Sequence, residues 1–490
     1  MGVIFSFLMG LFMSFDAFTD NDYFWHVAVG RWIDINKTIP NKPLFSWWGL
    51  QENYNWTSHE WLTEWIMYKL GDVGCMVVML VIFLLLYYIM YKMLKLKHNK
   101  LLDIKWIYLL MMTVFFKVTG PRPYIISLLF FAYLTYVLMS YLDKKKPFDK
   151  LIWTLPIMQF LWANLHGGSS SMPYVFIIGV LLSDLFIKVF KIKDERWTSY
   201  LLDKKQVKTL TINLLLILIA TCLNPTGYTL LLYPFTNMAD TNMIDLILEW
   251  QSPSFHGLLG LYIFIMIFIP VFNMIFYHKK FKFYEIAIFG LMFYMALKSQ
   301  RFIGMFGIYS TWIIGKYLFF DNDLYKIIKK PFKKYEKFIK YAFIILLIVT
   351  LVLVGYKQIS SFKLVDNHGF YSDEAVKEII ELKPKRMYND FGAGGYLLYK
   401  LSEYDALVDI EIFIYGLGDV FSKNILPDSI MLYNAKNARK YIEKYEFDVI
   451  FTVSTSPLRY FLEECEDFKV HYKDDMNYIF VRNTNNFMGI

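Results

Sequence analysis

Long apolar stretches, separated by short polar ones, run through residues 1–356 of the chain. An α-helix needs about 20 mainly apolar residues to cross a bilayer, so the pattern predicts a polytopic α-helical membrane protein. The first stretch lacks a basic leader and a small-residue cleavage site, and is expected to be retained. The shorter stretches near 151–191 and 284–320 could be re-entrant. Eleven spans are predicted, at 3–18, 73–95, 101–119, 123–142, 151–166, 172–191, 208–223, 258–277, 284–298, 301–320 and 340–356.

Residues 357–490 differ from the preceding part, because charged and apolar residues are mixed there in short runs. Alternating strand and helix patterns predict a separate soluble α/β domain, a sandwich with a largely parallel sheet. The turn at Gly392–Gly395 resembles a phosphate loop but lacks a GxGxxG pattern, and is expected to be structural. Helices are predicted at 373–383, from this turn to Lys400, at 435–445 and near 456–464; strands are predicted at 386–390, 406–409, 448–453, 468–472 and 477–482.

Lysine-rich segments mark alternate loops and predict the orientation of the chain. By the positive-inside rule they face the cytoplasm, which leaves loops 19–72, 120–122, 167–171, 224–257 and 299–300 outside. An odd number of spans then places the N-terminus in the cytoplasm and the domain after residue 357 outside it. The lysine-rich segments are Lys92–Lys100, Lys144–Lys150, Lys188–Lys208, Lys279–Lys282 and Lys326–Lys340.

The composition of the chain agrees with a membrane protein. The mean hydropathy is +0.36, 56% of residues are hydrophobic, and the formal charge of +8 is spread over separate inner loops. That spread reflects membrane topology and gives no indication of a nucleic-acid partner. The three cysteines form neither a disulfide framework nor a metal motif.

An acidic and aromatic cluster follows the first span. Asp20, Asp22, Trp25 and His26 lie within seven residues at the edge of the membrane, where ionisable groups are costly to bury and often mark a site. A carboxylate there could deprotonate a hydroxyl acceptor or bind a divalent cation, Mg²⁺ or Mn²⁺. Alternatively, the acids end a helix, Trp25 joins the aromatic belt, and His26 bonds to one of these carboxylates. His26 shares a face with Asp22 if 22–34 is helical.

A second polar set, Thr57-Ser-His59-Glu60-Trp61, lies later in the same loop. Thr57 and Glu60 fit a capping box, which is a structural role for Glu60. The following helix carries an apolar stripe and is expected to lie in the membrane interface. His59 extends from its first turn, and a site role and a surface role are equally compatible with it.

Polar residues recur where other spans meet the outer side. Arg122 and Arg301 are candidates to bind a phosphate with their planar guanidinium forks, and lipid headgroup contact is their alternative role. Asn164 and His166 end another span, and acids at 240–249 could add oxygen ligands to a metal. Together these sets predict a single outward-facing site.

These motifs resemble a family of bacterial multi-pass membrane proteins of uncharacterised activity, over nearly the whole chain. The matching motifs are Asp20 to His26, Gly30-Arg-Trp-Ile, Ile39-Pro40, Pro43-Leu-Phe-Ser46, His59-Glu-Trp61, Arg122-Pro123, Trp162 to Gly167, Asn224-Pro225-x-Gly227, Glu249-Trp250, Arg301 and Gly394-Gly-Tyr-Leu397. That family resembles the GT-C superfamily of membrane glycosyltransferases, which implies a first outer loop with an essential Asp, interface helices and a polyprenyl-phosphate sugar donor. Asp20 or Asp22 occupies the position of that Asp. The tail departs from the pattern, with Asp409-Ile-Glu411 where an Asp-Gly-Arg is expected.

Two functions from different classes follow. In the first, the chain is a glycosyltransferase that moves a sugar from a polyprenyl phosphate to a cell-envelope acceptor at the outer face. Asp22, Asp20, His26 and His59 would be catalytic, Asp20 and Asp22 could bind the metal, and Arg122, Arg301, Trp25, Glu60, His166 and Asn164 would contact substrate. In the second, the same cavity binds a lipid or glycan without chemistry, for transport, export or scaffolding.

Overall fold

The computed structural model describes residues 21–94, 121–198, 201–276, 281–317, scattered helical positions between 338 and 356, and 371–483. The chain is mostly helical, with a small sheet near its C-terminus. The predicted spans 3–18 and 101–119, and most of 340–356, lie outside the described residues, as does the predicted boundary after residue 356.

The α-helices of the described residues occur in the following order. They are α1 Asn21–Asn36, α2 Trp47–Gln51, α3 Trp61–Leu94, α4 Tyr124–Leu142, α5 Phe148–Leu151, α6 Leu155–Leu165, α7 Met172–Val189, α8 Glu195–Thr198, α9 Lys204–Cys222, α10 Tyr233–Met238, α11 Thr241–Leu246, α12 Gly257–Phe276, α13 Phe283–Lys298, α14 Ile303–Tyr317, α15 Asp373–Leu382, α16 Gly394–Glu403, α17 Gly418–Phe421, α18 Ile425–Tyr433, α19 Ala438–Tyr445 and α20 Pro457–Glu463.

The described chain divides into two compact units. The first unit contains 76–94, 121–234 and 249–317, apart from the gaps already given, and the helical positions of 338–356. The second unit contains 21–75, 235–248 and 371–483.

The first unit is a helical bundle with the apolar surface of a membrane protein. Four helical segments among the described residues are long and apolar enough to cross a bilayer: Trp61–Leu94, Tyr124–Leu142, Gly167–Val189 and Lys204–Cys222. Gly260–Ile275 is a shorter apolar helix. Within the bundle α14 packs on α4 and α13, and α9 packs on α6 and α7. Eight of the eleven predicted spans coincide with described helices, which confirms a membrane protein at this level.

Close backbone contact joins a further pair of helices, α3 and α14. A Cβ on Gly315 of α14 would lie 1.9 Å from the carbonyl oxygen of Met93 in α3. Only glycine lets the two backbones approach to this distance, as small residues do in membrane helix packing.

The second unit is built on contacts between the first loop and the C-terminal region. Helix α1 packs along α16, and Arg31 donates to Asp405 and to the carbonyl oxygen of Ser402, both at 2.5 Å. Ser46 forms an isolated parallel bridge with Ile412, and the indole of Trp47 donates to the carbonyl of Met387 at 2.9 Å. The predicted motifs around residues 31 and 46 therefore hold this unit together.

The sheet of the second unit has four strands, β1 Met387–Asn389, β2 Val449–Val453, β3 Phe468–Lys473 and β4 Asn477–Arg482. Their order is β1-β2-β4-β3. β1 and β2 are parallel, whereas β4 is antiparallel to both β2 and β3. The expectation of a largely parallel sheet was wrong, because the short connection between β3 and β4 makes a hairpin, and hairpins pair antiparallel.

One predicted strand is also wrong. Residues 406–409 were expected to be extended, but Ala406–Val408 is a 3₁₀ turn. The turn follows α16 directly, and the amides of Asp409 and Ile410 both bond back to the carbonyl of Ala406. Local hydrogen bonds close the turn before a strand can form.

Candidate functional site

In the first unit, two arginines from different loops meet on one carboxylate. Arg301 Nη1 lies 2.5 Å from Glu249 Oε1, and Arg122 Nη1 lies 3.6 Å from Glu249 Oε2. The guanidinium of Arg301 also lies over two rings, 5.3 Å from that of Tyr124 and 5.0 Å from that of Trp250. We call these five residues the arginine cluster.

Short 3₁₀ turns and helix ends bring the arginine cluster together. Arg301 belongs to the turn Gln300–Phe302 between α13 and α14, and Glu249 to the turn Leu248–Trp250. The two turns are joined by the amide of Gln300, which donates to the carbonyl of Gln251 at 2.9 Å, and by the hydroxyl of Ser299, which donates to the carbonyl of Glu249 at 3.1 Å. The Tyr124 hydroxyl at the start of α4 donates to the carbonyl of Arg301.

The arginine cluster is charged and accessible. Arg122, Arg301 and Glu249 have side chains 17%, 21% and 35% exposed. Two guanidinium groups facing one carboxylate leave this trio a net positive charge, and guanidinium forks match the oxygens of a phosphate. The structure brings the predicted site residues Arg122 and Arg301 together on one carboxylate.

His166 and Asn164 lie at the end of α6 and make buried hydrogen bonds. The imidazole of His166 bonds through Nδ1 to the hydroxyl of Ser127, which also accepts from the indole of Trp162 at 2.6 Å. Asn164 donates to the carbonyl of Leu223 at 2.9 Å and so ties the ends of α6 and α9. Both side chains are buried, and these contacts give each a role in the packing of the helix ends.

In the second unit, His26, Glu60 and Glu64 form a buried group that we call the histidine cluster. His26 Nδ1 lies 3.2 Å from Glu64 Oε1, and His26 Nε2 lies 3.5 Å from Glu60 Oε2. Ser58 donates to the other oxygen of Glu64 at 2.6 Å. One donor atom from each of the three ligand residues can be chosen so that all lie within 4.8 Å of one another.

Helix α1 and the first turn of α3 position the histidine cluster. A Cβ on Gly30 of α1 would lie only 2.0 Å from the backbone oxygen of Glu64, so the helices touch at this glycine. Farther along, Asp34 binds Lys69 at 2.8 Å and Tyr23 donates to Asp72 at 2.6 Å. Helix α3 then kinks at Gly71, where φ is 61° and ψ is −176°, a conformation that glycine adopts without strain.

Two local expectations concern the histidine cluster. Glu60 was expected to close a capping box with Thr57, but α3 begins at Trp61 and the amide of Glu60 donates to Ser58. The carboxylate of Glu60 instead faces His26. His26 itself was expected to bond to Asp20 or Asp22 if it were structural. Among the described residues its close partners are Glu60 and Glu64, and a bond to Asp20, which lies outside them, stays a prediction.

Electrostatics in the histidine cluster favour positive charge on the imidazole. Burial by itself lowers the pKa of His26, but the negative charge of Glu60 and the hydrogen bond to Glu64 raise it above the ordinary value. A cation in this position, a proton or a metal ion, compensates the two carboxylates.

Asp22 lies next to the histidine cluster on α1. Its Oδ1 accepts from the indole of Trp25 at 3.2 Å, and the ring of Trp25 stacks on His26 with centroids 3.6 Å apart. A Cβ on Gly416 would lie 2.2 Å from the Trp25 indole nitrogen and 2.9 Å from the Asp22 carboxylate. Asp22 and His26 were expected to share a face if residues 22–34 were helical, and α1 is helical through both. Trp25 is buried within the unit.

Of the other predicted site residues, Asp20 lies outside the described residues. Metal binding by Asp20 and Asp22 therefore stays a prediction. His59 Nε2 lies 4.0 Å from Glu60 Oε1, at the edge of the histidine cluster. Asp240, one of the loop acids expected to bind a metal, caps α11 and accepts from Ser422 at 2.7 Å.

No family model matches the chain, and no curated protein matches it. Solved structures do match it. One is the archaeal oligosaccharyltransferase AglB from Archaeoglobus fulgidus, determined in complex with an inhibitory peptide and a dolichol-phosphate. The TM-score is 0.51 at 10% identity, over 92% of this chain and 69% of that one. At this identity the likeness shows the fold alone: the chain has a fold similar to that of this membrane oligosaccharyltransferase.

Sequence reasoning missed members of both clusters. Glu64 and Tyr124 were not singled out as site residues, and Glu249 appeared only among the loop acids and in a matching motif. A signal for Glu64 was present, because Glu60 and Glu64 are four residues apart and share a helix face. Nothing local to Glu249 indicated that both arginines would converge on it.

Proposed function

We propose that the chain is a membrane glycosyltransferase that transfers a sugar from a polyprenyl-phosphate donor to an acceptor hydroxyl. The observation that carries the proposal is the convergence of Arg122 and Arg301 on Glu249. Two guanidinium groups that already share one anionic group are arranged to share another, and a phosphate offers more oxygens and more charge than a carboxylate. The GT-C-like fold supports the same class of reaction.

The chemistry assigns separate roles to the residues. As the acceptor oxygen attacks the anomeric carbon, its proton passes to a carboxylate that acts as the general base, and the bond between that carbon and the donor phosphate oxygen breaks. The electron pair leaves with the polyprenyl phosphate. Arg122 and Arg301 stabilise the negative charge that develops on this phosphate, which is the main electrostatic requirement of such a transfer.

Transfer of a radiolabelled sugar from a polyprenyl phosphate by the purified protein tests the proposal. Arg301→Lys and Arg122→Lys should each lower donor use about 10- to 100-fold, since a hydrogen bond to a charged group contributes about 1.5–3 kcal/mol and lysine lacks the fork. Asp22→Asn should lower the rate at saturating donor by about 10²–10⁴, the usual contribution of a general base. Arg386→Lys is the matched control, because Arg386 pairs with Glu446 at the surface of the second unit.

Two results would contradict parts of the proposal. Saturable binding of the donor without turnover would show a lipid- or glycan-binding protein instead of an enzyme. Full donor use by both lysine variants would make Arg122 and Arg301 headgroup contacts.

A further inference from the structure

We infer that three lysines at the ends of α4, α13 and α14 bind the phosphate of an anionic phospholipid. Lys145, Lys282 and Lys316 all meet the carboxylate of Asp143, at nitrogen–oxygen distances of 3.5, 2.9 and 2.7 Å. Lys316 also lies 2.8 Å from the carboxylate of Glu285. We call these five residues the lysine cluster.

Three helix ends bring the lysine cluster together. Asp143 is the C-terminal cap of α4, and Lys145 lies in the connection that follows this helix. Lys282 immediately precedes α13, and Lys316 lies in the last turn of α14. The ends of membrane helices lie at the level of lipid headgroups, and basic pockets between such helices bind anionic headgroups.

The lysine cluster carries an excess of positive charge. Three ammonium groups and two carboxylates give the five side chains a formal charge of +1. Most of this charge is poorly hydrated, since Lys282 and Lys316 are only 9% and 15% exposed, and charge in such surroundings is costly unless a counter-ion compensates it. The phosphodiester of phosphatidylglycerol has a single negative charge, which balances the excess. Lys145, with a side chain 35% exposed, gives a headgroup access to the cluster.

A hydroxyl beside the lysine cluster offers a further donor. The Tyr284 hydroxyl is buried and has no hydrogen-bond partner among the residues that the structure describes. The ammonium nitrogen of Lys282 lies 5.6 Å from the centre of the Tyr284 ring. Burial of a hydroxyl without a partner is costly, and a phosphate oxygen bound at Lys282 can accept its hydrogen bond.

Apolar surface next to the lysine cluster favours a lipid over a soluble phosphate. Phe283, the residue after Lys282, stacks on Phe186 of α7 with ring centroids 5.3 Å apart. Phe186, Val189 and Phe190 are exposed large apolar residues of this end of α7. The acyl chains of a lipid whose headgroup is held at Lys282 can cover this surface, and a soluble phosphate cannot.

Titration of the delipidated, full-length protein in neutral detergent tests the inference, with native mass spectrometry to count bound lipid. Phosphatidylglycerol should bind more tightly than phosphatidylcholine, whose phosphate charge is compensated by its own choline cation. Glycerol phosphate, which has the phosphate without acyl chains, should bind much more weakly than phosphatidylglycerol.

Two substitutions remove donors at little cost to folding. Lys145→Gln should weaken phosphatidylglycerol binding about 5-fold, the factor that corresponds to about 1 kcal/mol for each lysine at an anionic membrane surface. Tyr284→Phe removes only a hydroxyl without a protein partner. It should weaken lipid binding, while the unfolding midpoint of the lipid-free protein stays at or above that of the wild type.

Lys188→Gln is the matched control. Lys188 forms a one-to-one pair with Asp184 on α7, 2.5 Å apart, and this variant should bind phosphatidylglycerol like the wild type. An equal loss of affinity in Lys188→Gln and Lys145→Gln would indicate a diffuse effect of basic charge and would overturn the inference.

Three other results would also overturn it. They are equal affinity for phosphatidylglycerol and phosphatidylcholine, wild-type affinity in both Lys145→Gln and Tyr284→Phe, and binding of glycerol phosphate as tight as that of phosphatidylglycerol. The last result would identify a soluble phosphate as the ligand. Because bound lipid is counted directly, the inference does not depend on the proposed sugar transfer, and failure of one leaves the other standing.

Discussion

Single carboxylates in this protein differ according to their surroundings. Asp34 on α1 bonds to Lys69, Trp65 and Lys37, and these partners hold its pKa at about 2. Asp390, at the end of β1, is buried and accepts from Thr452 and from the amide of Val453. Burial outweighs these hydrogen bonds and raises the pKa of Asp390 to about 7.

The raised pKa of Asp390 predicts that the second unit loses stability as pH rises. The folded state holds this proton more tightly than the unfolded state, whose carboxyl has an ordinary pKa of 3.8. The contribution is therefore present below about pH 4 and is lost as the pH rises through about 7. The loss is on the order of a few kcal/mol, at about 1.4 kcal/mol for each unit of pKa.

Thermal unfolding of wild type and Asp390→Asn between pH 5 and 8 checks this expectation. The unfolding midpoint of the variant should fall less over this range than that of the wild type. Glu464→Gln, an exposed position on the same domain, serves as the control and should follow the wild type. Parallel midpoint curves for wild type and Asp390→Asn would show that Asp390 does not titrate in this range.

At the scale of elements, contact between α1 and α3 depends on one glycine. Gly→Ala within a helix normally stabilises by about 1 kcal/mol. Gly30→Ala should instead destabilise the protein by about 1–3 kcal/mol, the usual cost of overpacking, because its Cβ meets the backbone oxygen of Glu64 at 2.0 Å. The backbone at Gly30 cannot move away without displacing Glu64, and a shift of Glu64 would disturb the histidine cluster.

Unfolding midpoints of purified variants in the same detergent measure the effect. Gly290→Ala is the matched control, since Gly290 lies in α13 and a Cβ there has nothing within 4 Å. It should unfold at or above the wild-type midpoint. A gain in stability for both variants would mean that the α1–α3 contact is looser than the structure shows.

At the scale of the whole molecule, orientation in the membrane is still a prediction from the lysine-rich loops. A reporter fused after Val365 should be active only outside the cytoplasm, because an odd number of spans follows an inner N-terminus. A fusion after Lys193, in a predicted inner loop, should show the opposite activity. Cytoplasmic activity of the Val365 fusion would contradict the predicted arrangement and, with it, an outward-facing site.

The sequence by itself determined the helices and the class of protein. Apolar length is a local property, so helices such as Tyr124–Leu142 and Lys204–Cys222 could be located within a few residues. The strand patterns at 449–453 and 477–482 were equally local. Candidate residues such as His26 and Arg301 stood out because charged groups beside apolar segments are rare.

Only the tertiary structure decided which of these residues meet. Glu249 lies 52 positions from Arg301, and Glu64 lies 38 positions from His26. Such pairs depend on how helices pack, and that packing is set by close contacts such as Gly30 with Glu64. Strand direction was likewise decided by the hairpin that joins β3 to β4. Local patterns specify elements, whereas contacts between distant segments choose partners, and a single sequence carries little direct signal for those contacts.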